Sequence, residues 1–284
     1  MKKIGISTDC MCDLPADYLA ANDIQVLQFY IHTATGRFWN GSEITSDNIL
    51  EYLRSGNVMI RPNVPEPEEC RAYFEQILTR YDEVIHITTS AKVGMSYPNA
   101  EAALELMEGD AQRVTLIDSG GISTGLGHMV RLAVTLRDSG RSVAEIAAAC
   151  QTMRGKISSS FIVPNVDYLH RMGYTIRGVR TLCKILRIRP VLCTRNGKLT
   201  VKAFQVGSYE KAVLRYVRGE LLSRRIERGQ LFITHVGCPA KLLEQVRQEA
   251  GSIRRFDKIT VTKASAIITS WCGPETVGIL YVRQ

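Results

Sequence analysis

Long apolar runs are missing from this sequence. No stretch supplies the roughly 18 uncharged apolar residues of a membrane-spanning helix, and the opening MKKIGISTDC reaches Asp9 before a secretory apolar core can form. The expectation is a cytoplasmic protein without an integral membrane segment. Cysteine is sparse as well: eight in 284 residues are too few for a disulfide scaffold, and Cys150 in EIAAAC and Cys193 in RPVLCT lie in apolar runs, as reduced structural thiols do. Cys10 and Cys12 form the closest pair, but no second Cys/His pair at zinc spacing accompanies them, so no metal is expected. There is no P-loop and no complete dinucleotide fingerprint, because Gly125-Leu-Gly127 opens a helix without the third glycine. Nor does a nucleophile-elbow or zinc-protease motif surround any of the five histidines, His32, His86, His128, His170 and His235. No catalytic residue and no cofactor can be assigned, and the chain reads as a non-enzyme.

What is present is an ordinary globular composition, 45% hydrophobic and 23% charged, with an uneven charge distribution. Residues 1–155 carry 13 Lys and Arg against 20 Asp and Glu, a balance of −7, while residues 156–284 carry 23 against 8, a balance of +15. A basic half joined to an acidic one predicts that the second half meets something negative, or else presents a solvated basic face.

The first half alternates short β-branched runs with amphipathic stretches: KIGIST then PADYLAAN, QVLQFYIHT then SDNILEYL, VIHITTS then PNAEAALELMEG, VTLIDS then STGLGHMVRLAVTLRD. Strand followed by helix predicts a mostly parallel sheet covered by helices, with ligand loops beyond the carboxyl ends of its strands at TDCMCD, TTSAKVGMS and IDSGGIS. Two long helices, over 124–138 and 143–154, lead into a second half of different texture. There SSFIVP, a short helix at VDYLHRM, and RPVLC and KLTVKAFQ around Asn196-Gly197 come first, and Asn-Gly between two strand-like runs signals a hairpin. LFITHVG, KITVTKA, AIITSW and TVGILYV read as four more strands. The fold class is therefore α/β with two lobes, an N-terminal mostly parallel domain (1–155) and a smaller C-terminal mixed or antiparallel domain (156–284). The boundary falls near residue 155, within about ten residues. Arg177, Arg180, Lys184 and Arg187 recur at spacings of three and four, so one helix would present them as a cationic row for an acidic partner or phosphate.

Read in order, the short motifs resemble those of the DegV family, two-lobed proteins of the EDD fold that hold a fatty acid in a tunnel between the lobes. Thr8-Asp9-Cys10-Met11-Cys12-Asp13-Leu14-Pro15 is similar to that family's TDS-x-x-DLP. VTLIDSGGISTGLG (114–127), with Asp118 and Ser119, resembles its V-x-DS-x-x-x-S-x-G-x-G, and FIVPNVDYLHRMG (161–173), opening on Phe161, resembles its F-x-V-x-x-L-x-YL-x-x-GG. Arg189-Pro190-Val191-Leu192 matches KPIL, and TSWCGPETVG (269–278) is similar to T-H-x-GPG-x-x-G. The match covers almost the whole chain. The resemblance implies a lipid carrier without turnover, whose bound long-chain fatty acid a partner kinase phosphorylates, and it would make the row Arg177, Arg180, Lys184 and Arg187 the kinase-docking face.

Departures from the family pattern fall on the polar head site. PNVPEP (62–67) stands where the family has TSQPSP, so a head-binding threonine becomes Pro62. AKVGMSY (91–97) stands for SGLSGTY, placing Gly94 where a head-binding serine is expected. MGYT (172–175) replaces GGRI, and Trp271 replaces a histidine. Substitute donors are the Arg61 guanidinium, the Asn63 amide, the Ser96 hydroxyl and backbone N–H groups around Gly94 and Met95. The expected ligand site is thus Arg61, Asn63, Gly94, Met95, Ser96, Asp118, Ser119, Phe161 and Trp271. Three alternatives stay open: Trp271 fills the tunnel mouth and leaves a scaffold acting through its basic face, Asp9 and Asp118 serve as acid and base on a sugar or nucleotide, or the basic lobe is a nucleic-acid or regulatory module. The low aromatic content, 7%, and the lack of a reading motif make nucleic acid the unexpected partner.

Overall fold

The computed structural model of the chain describes residues 2–56, 59–164, 167, 187–222 and 225–284. Its architecture follows from which strands can be buried on both faces. Ile4–Asp9 (β1, IGISTD) is buried from Gly5 onward, as suits the interior of a parallel sheet. It pairs in parallel with Ile24–Leu27 (β2) on one side and Glu83–Thr88 (β6) on the other, and β6 pairs in parallel with Val114–Asp118 (β7). The strand order β2-β1-β6-β7 changes direction between β1 and β6, and the crevice beyond the carboxyl ends of such a pair is where open α/β sheets bind ligands.

Among the described residues six α-helices belong to this lobe: Ala16–Ala21 (α1), Ser46–Arg54 (α2), Pro67–Leu78 (α3), Ser96–Glu105 (α4), Thr124–Asp138 (α5) and Val143–Arg154 (α6). Capping boxes open α2 at Thr45 with Asn48 and α6 at Ser142 with Glu145, each satisfying two N–H groups of an otherwise bare first turn. Periodicity predicts the bounds of α5 and α6 well. QVLQFYIHT, expected as one strand, is two. After β2 the chain breaks at Gln28-Phe29, where the Phe29 N–H turns to Cys10 Sγ at 3.4 Å and its carbonyl accepts from Asn40 N at 2.9 Å. Tyr30–Thr33 (β3) then joins Gly36–Trp39 (β4) and Ile60–Asn63 (β5) in a separate antiparallel sheet ordered β4-β3-β5.

The C-terminal lobe is shorter in sequence yet carries the wider sheet: Ile157–Ile162 (β8), Ile188–Arg195 (β9), Lys198–Val206 (β10), Gln230–His235 (β11), Lys258–Lys263 (β12) and Val277–Val282 (β13), ordered β10-β9-β8-β13-β11-β12. Among the described strands of this sheet only β11 and β12 run parallel. Asn196 and Gly197 form the two-residue turn between β9 and β10 with φ of 51° and 78°, the paired left-handed conformation that suits a hairpin's twist. Helices Tyr209–Leu222 (α7), Ala240–Ile253 (α8) and Ala266–Cys272 (α9) belong to the described part of this lobe. AIITSW, expected as a strand, is α9. Its β-branched run is buried almost throughout, and Ser265 caps its first turn by accepting from Ile268 N at 3.4 Å, so helical packing overrides strand propensity. VDYLHRM, apart from Asp167, and the basic row at Arg177, Arg180 and Lys184 lie outside the described residues, whereas Arg187 is exposed at the entry to β9. No helix among the described residues is long and apolar enough to cross a membrane.

Helix α5 joins the lobes, and its two early glycines let it do so. A Cβ at Gly125 would stand 2.1 Å from Ser159 Oγ on β8, and one at Gly127 would stand 2.9 Å from Leu14 Cδ2 and 3.0 Å from the Cys12 carbonyl oxygen. These glycines serve close packing, with one facing each lobe. An exposed helical glycine gains roughly 1 kcal/mol on replacement by alanine. Gly127→Ala is expected to do the reverse, losing about 1–3 kcal/mol in urea denaturation because backbone cannot move aside.

Candidate functional site

At the carboxyl end of β1, Asp9 is fully buried, so its carboxylate must find donors. Thr89 supplies two, its backbone N at 2.6 Å and its Oγ1 at 2.9 Å, and Ser96 Oγ lies 2.8 Å from both carboxylate oxygens. Behind Asp9 a file of buried polar groups runs into the sheet: His86 Nε2 at 3.5 Å from Asp9 Oδ1, His86 Nδ1 at 2.8 Å from Ser7 Oγ, and Ser7 Oγ at 2.7 Å from Tyr73 OH. Asp9 therefore fixes the loop after β6 and the start of α4. Two strands away, Asp118 accepts from Ala91 N at 3.2 Å and Gly120 N at 2.8 Å and pairs with Arg154, holding the other side of that loop. Ser119 turns inward, its Oγ accepting from Gly121 N at 3.1 Å.

This frame presents the 91–96 loop to solvent. Gly94 is exposed and a Cβ there would meet nothing within 4 Å, Met95 is 57% exposed, and no side chain caps the first turn of α4. Uncapped N–H groups at a helix start attract an anion. Asn63, at the end of β5, belongs to the adjoining segment, because Asn99 Nδ2 on α4 donates to the Pro65 carbonyl at 2.9 Å and ties that segment to α4. Two expected donors are placed otherwise. Ser96 commits its hydroxyl to Asp9, and Arg61 is exposed in a separate groove with His32, Arg37 and Met59. Trp271, on α9, is half-buried against the apolar cluster shared by the lobes.

Phe161 lines an apolar pocket between the lobes with Ile122, Val236, Ile268, Cys272 and Leu280. Its volume is about 30 Å³, room for about one water and far below the roughly 300 Å³ at which small-ligand pockets begin. As it stands, this space has no room for a long apolar chain.

Asp13, which the sequence motif includes without revealing its role, clasps the lobes above this pocket. Its buried carboxylate accepts from Ser123 Oγ at 2.5 Å and from Ser265 N, at the head of α9, at 2.7 Å. Both Asp13 (φ 50°) and Ser123 (φ 56°, ψ −146°) are left-handed, a strain of about 1–3 kcal/mol for a residue like Ser123 that the surrounding contacts must offset. Nearby, Ala266 N donates to Asn40 Oδ1 at 3.0 Å, Ser46 Oγ and Thr269 Oγ1 lie 2.6 Å apart, and Lys263 pairs with Asp47 at 2.5 Å.

The family profile described as "Uncharacterised protein, DegV family" matches residues 3–284. The chain belongs to the DegV family. A DegV domain-containing protein of Caldanaerobacter subterraneus subsp. tengcongensis is 25% identical over 285 residues, covering 100% of both chains. Among solved structures, a DegV-family protein from Thermus thermophilus, described with fatty acid binding, aligns with TM-score 0.85 and 24% identity over 99% of this chain and 100% of its own. The fatty acid kinase B3 protein of Streptococcus pneumoniae, loaded with linoleic acid, aligns with TM-score 0.84 and 18% identity over 99% and 100%. The described residues of this DegV chain share the two-lobed α/β fold of those structures.

Burial raises the Asp13 pKa from 3.8 to about 6, against its hydrogen bonds from Ser123 and Ser265. Because the folded value exceeds the unfolded one, the contribution is fully present below about pH 4 and is lost as pH rises through 6, amounting to about 3 kcal/mol. His128, buried on α5 with Nε2 donating to the Leu280 carbonyl at 3.2 Å, shows the opposite behaviour. Burial lowers its pKa from 6.5 to about 4, so the stability it contributes is present above about pH 6.5 and is lost as pH falls toward 4. The two trends offset each other. Asp13→Asn, which keeps an acceptor and tolerates the backbone, is expected to leave the His128 trend exposed. Urea midpoints of the variant should gain on the parent steadily between pH 4 and 6, and parallel pH curves would refute the assignment.

Proposed function

We propose that this DegV protein binds a long-chain fatty acid, or a related carboxylate lipid, between a lobe of residues 1–155 and a lobe of residues 156–284, and offers its head group to a partner kinase. The observation carrying this reading is that the whole chain aligns with DegV proteins described with bound fatty acids, with an apolar wall around Phe161 between its lobes. The linoleic acid-loaded fatty acid kinase B3 relative supports the kinase. A sixteen-carbon tail gains about 12 kcal/mol gross on burial, at roughly 0.8 kcal/mol per methylene, before the costs of opening the pocket and ordering the chain. Loss of one or two head hydrogen bonds, about 1 kcal/mol each, leaves most of that intact.

The head falls to the exposed 91–96 loop. Its carboxylate would meet the uncapped N–H groups at the start of α4, near Gly94 and Met95, with the Asn63 amide beside them. The Ser96 hydroxyl, already donating to Asp9, acts as a support for that loop. Chemistry remains with the kinase in this reading, and Asp9 and Asp118 hold loops in place. Docking on Arg187 and on the row Arg177, Arg180 and Lys184 follows from the sequence pattern and from the exposure of Arg187.

A second reading rests on Trp271, whose packing on the shared cluster would block the tail and leave a scaffold working through its basic face. Native mass spectrometry of freshly purified protein, followed by lipid identification, separates the two. One acyl chain per protein is expected, and an empty protein that also refuses added fatty acid would favour the scaffold. Gly94→Ser should restore a donor without a clash and tighten fatty-acid binding by about fivefold, read by displacement of a fluorescent fatty acid.

A further inference from the structure

A second opening between the lobes has the opposite chemistry. It encloses about 650 Å³, inside the roughly 300–1,000 Å³ range of small-ligand pockets, and it involves none of Asn63, Gly94, Ser96 or Trp271. Lys92 and Arg154 reach it from the N-terminal lobe, and Arg195, Lys202 and Arg283 from the C-terminal lobe. Among the described residues no Asp or Glu lines it. Two of the five cations are neutralised, Arg154 by Asp118 and Lys202 by Glu220. The other three keep their charge. Lys92 Nζ donates to the Asn196 carbonyl at 3.1 Å, and Arg283 donates to the Gly155 carbonyl at 2.6 Å. Such partners hold a cation in place without cancelling it, which lowers the cost of ordering it around a ligand. Arg195 is exposed at the end of β9 and has no ion pair among the described residues.

We propose that this cleft binds a small anion carrying two or more phosphoryl groups, of polyphosphate or nucleoside polyphosphate size, and so draws the lobes together at a site separate from the lipid. Three uncompensated cations supplied by both lobes call for a multivalent anion, and arginine matches phosphate oxygens in pairs. Ser158 and Thr194 add hydroxyl donors to the wall.

Calorimetric titration of the full chain with inorganic tripolyphosphate, a nucleoside triphosphate and citrate tests this, with acyl occupancy read on the same samples by native mass spectrometry. Saturable binding of one tripolyphosphate, weakening with added salt, is expected. Arg195→Glu should lower its affinity by at least about tenfold. Arg247→Glu makes the same charge change on α8, outside the cleft, where Arg247 pairs with Glu244 at 2.9 Å, and should move the affinity by less than about twofold. A nucleoside triphosphate binding more tightly than tripolyphosphate would show that the base also contacts the cleft, and equal affinities would show recognition of phosphate alone; either supports the site. Absence of saturable binding, equal weakening by both variants, or citrate binding as tightly as tripolyphosphate would overturn it, whether or not an acyl chain is present.

Discussion

The buried carboxylate of Asp13 is the constraint on which the arrangement of the two lobes depends. It takes a hydroxyl from the start of α5 and a backbone N–H from the start of α9, so elements more than a hundred residues apart converge on one group. Burying that charge is unfavourable, as its raised pKa records, and two residues there accept left-handed backbone. Local cost at a lobe junction is the usual mark of a position selected for geometry rather than stability. Here the geometry sets the two inner faces against each other.

Those faces enclose two spaces of contrasting character. One is apolar, narrow and walled by Phe161 and its neighbours, and the other is roomy, polar and cationic. Asp9 and Asp118 stand at the ends of β1 and β7 and stabilise the loop after β6, Asp9 through Thr89 and Ser96 and Asp118 through Ala91. That loop carries Gly94 on one side and Lys92 on the other. Its rigidity is therefore common to the proposed lipid head site and the proposed anion cleft, and Lys92, which also bonds the Asn196 turn, links it to the C-terminal sheet.

The charge asymmetry between the halves acquires a location in the same way. Part of the +15 on residues 156–284 lies in the cleft, where Arg195 and Arg283 face Lys92 of the acidic half. An acidic lobe thus contributes a cation where it meets the basic one. Field lines focused between low-dielectric walls act more strongly on a small anion than the same charges spread over a surface.

The alternation of strand and helix, the Asn196-Gly197 hairpin and the ends of α5 and α6 were legible in the sequence because each rests on local chemistry: periodicity, capping and the φ preference of a turn residue. The motif order pointed to the DegV family for the same reason, since short segments keep their residue types. QVLQFYIHT and AIITSW were misread because an apolar run states that it will be buried without stating against what, and tertiary packing assigned the first to two sheets and the second to a helix. The site divided likewise. Gly94, Met95, Asn63 and Phe161 were candidates on the sequence, but the commitment of Ser96 to Asp9, the placement of Arg61 in a separate groove and the clasp at Asp13 could not be read there. These depend on which hydrogen-bond partner a long-range fold brings within about 3 Å, and that is decided only when distant segments meet.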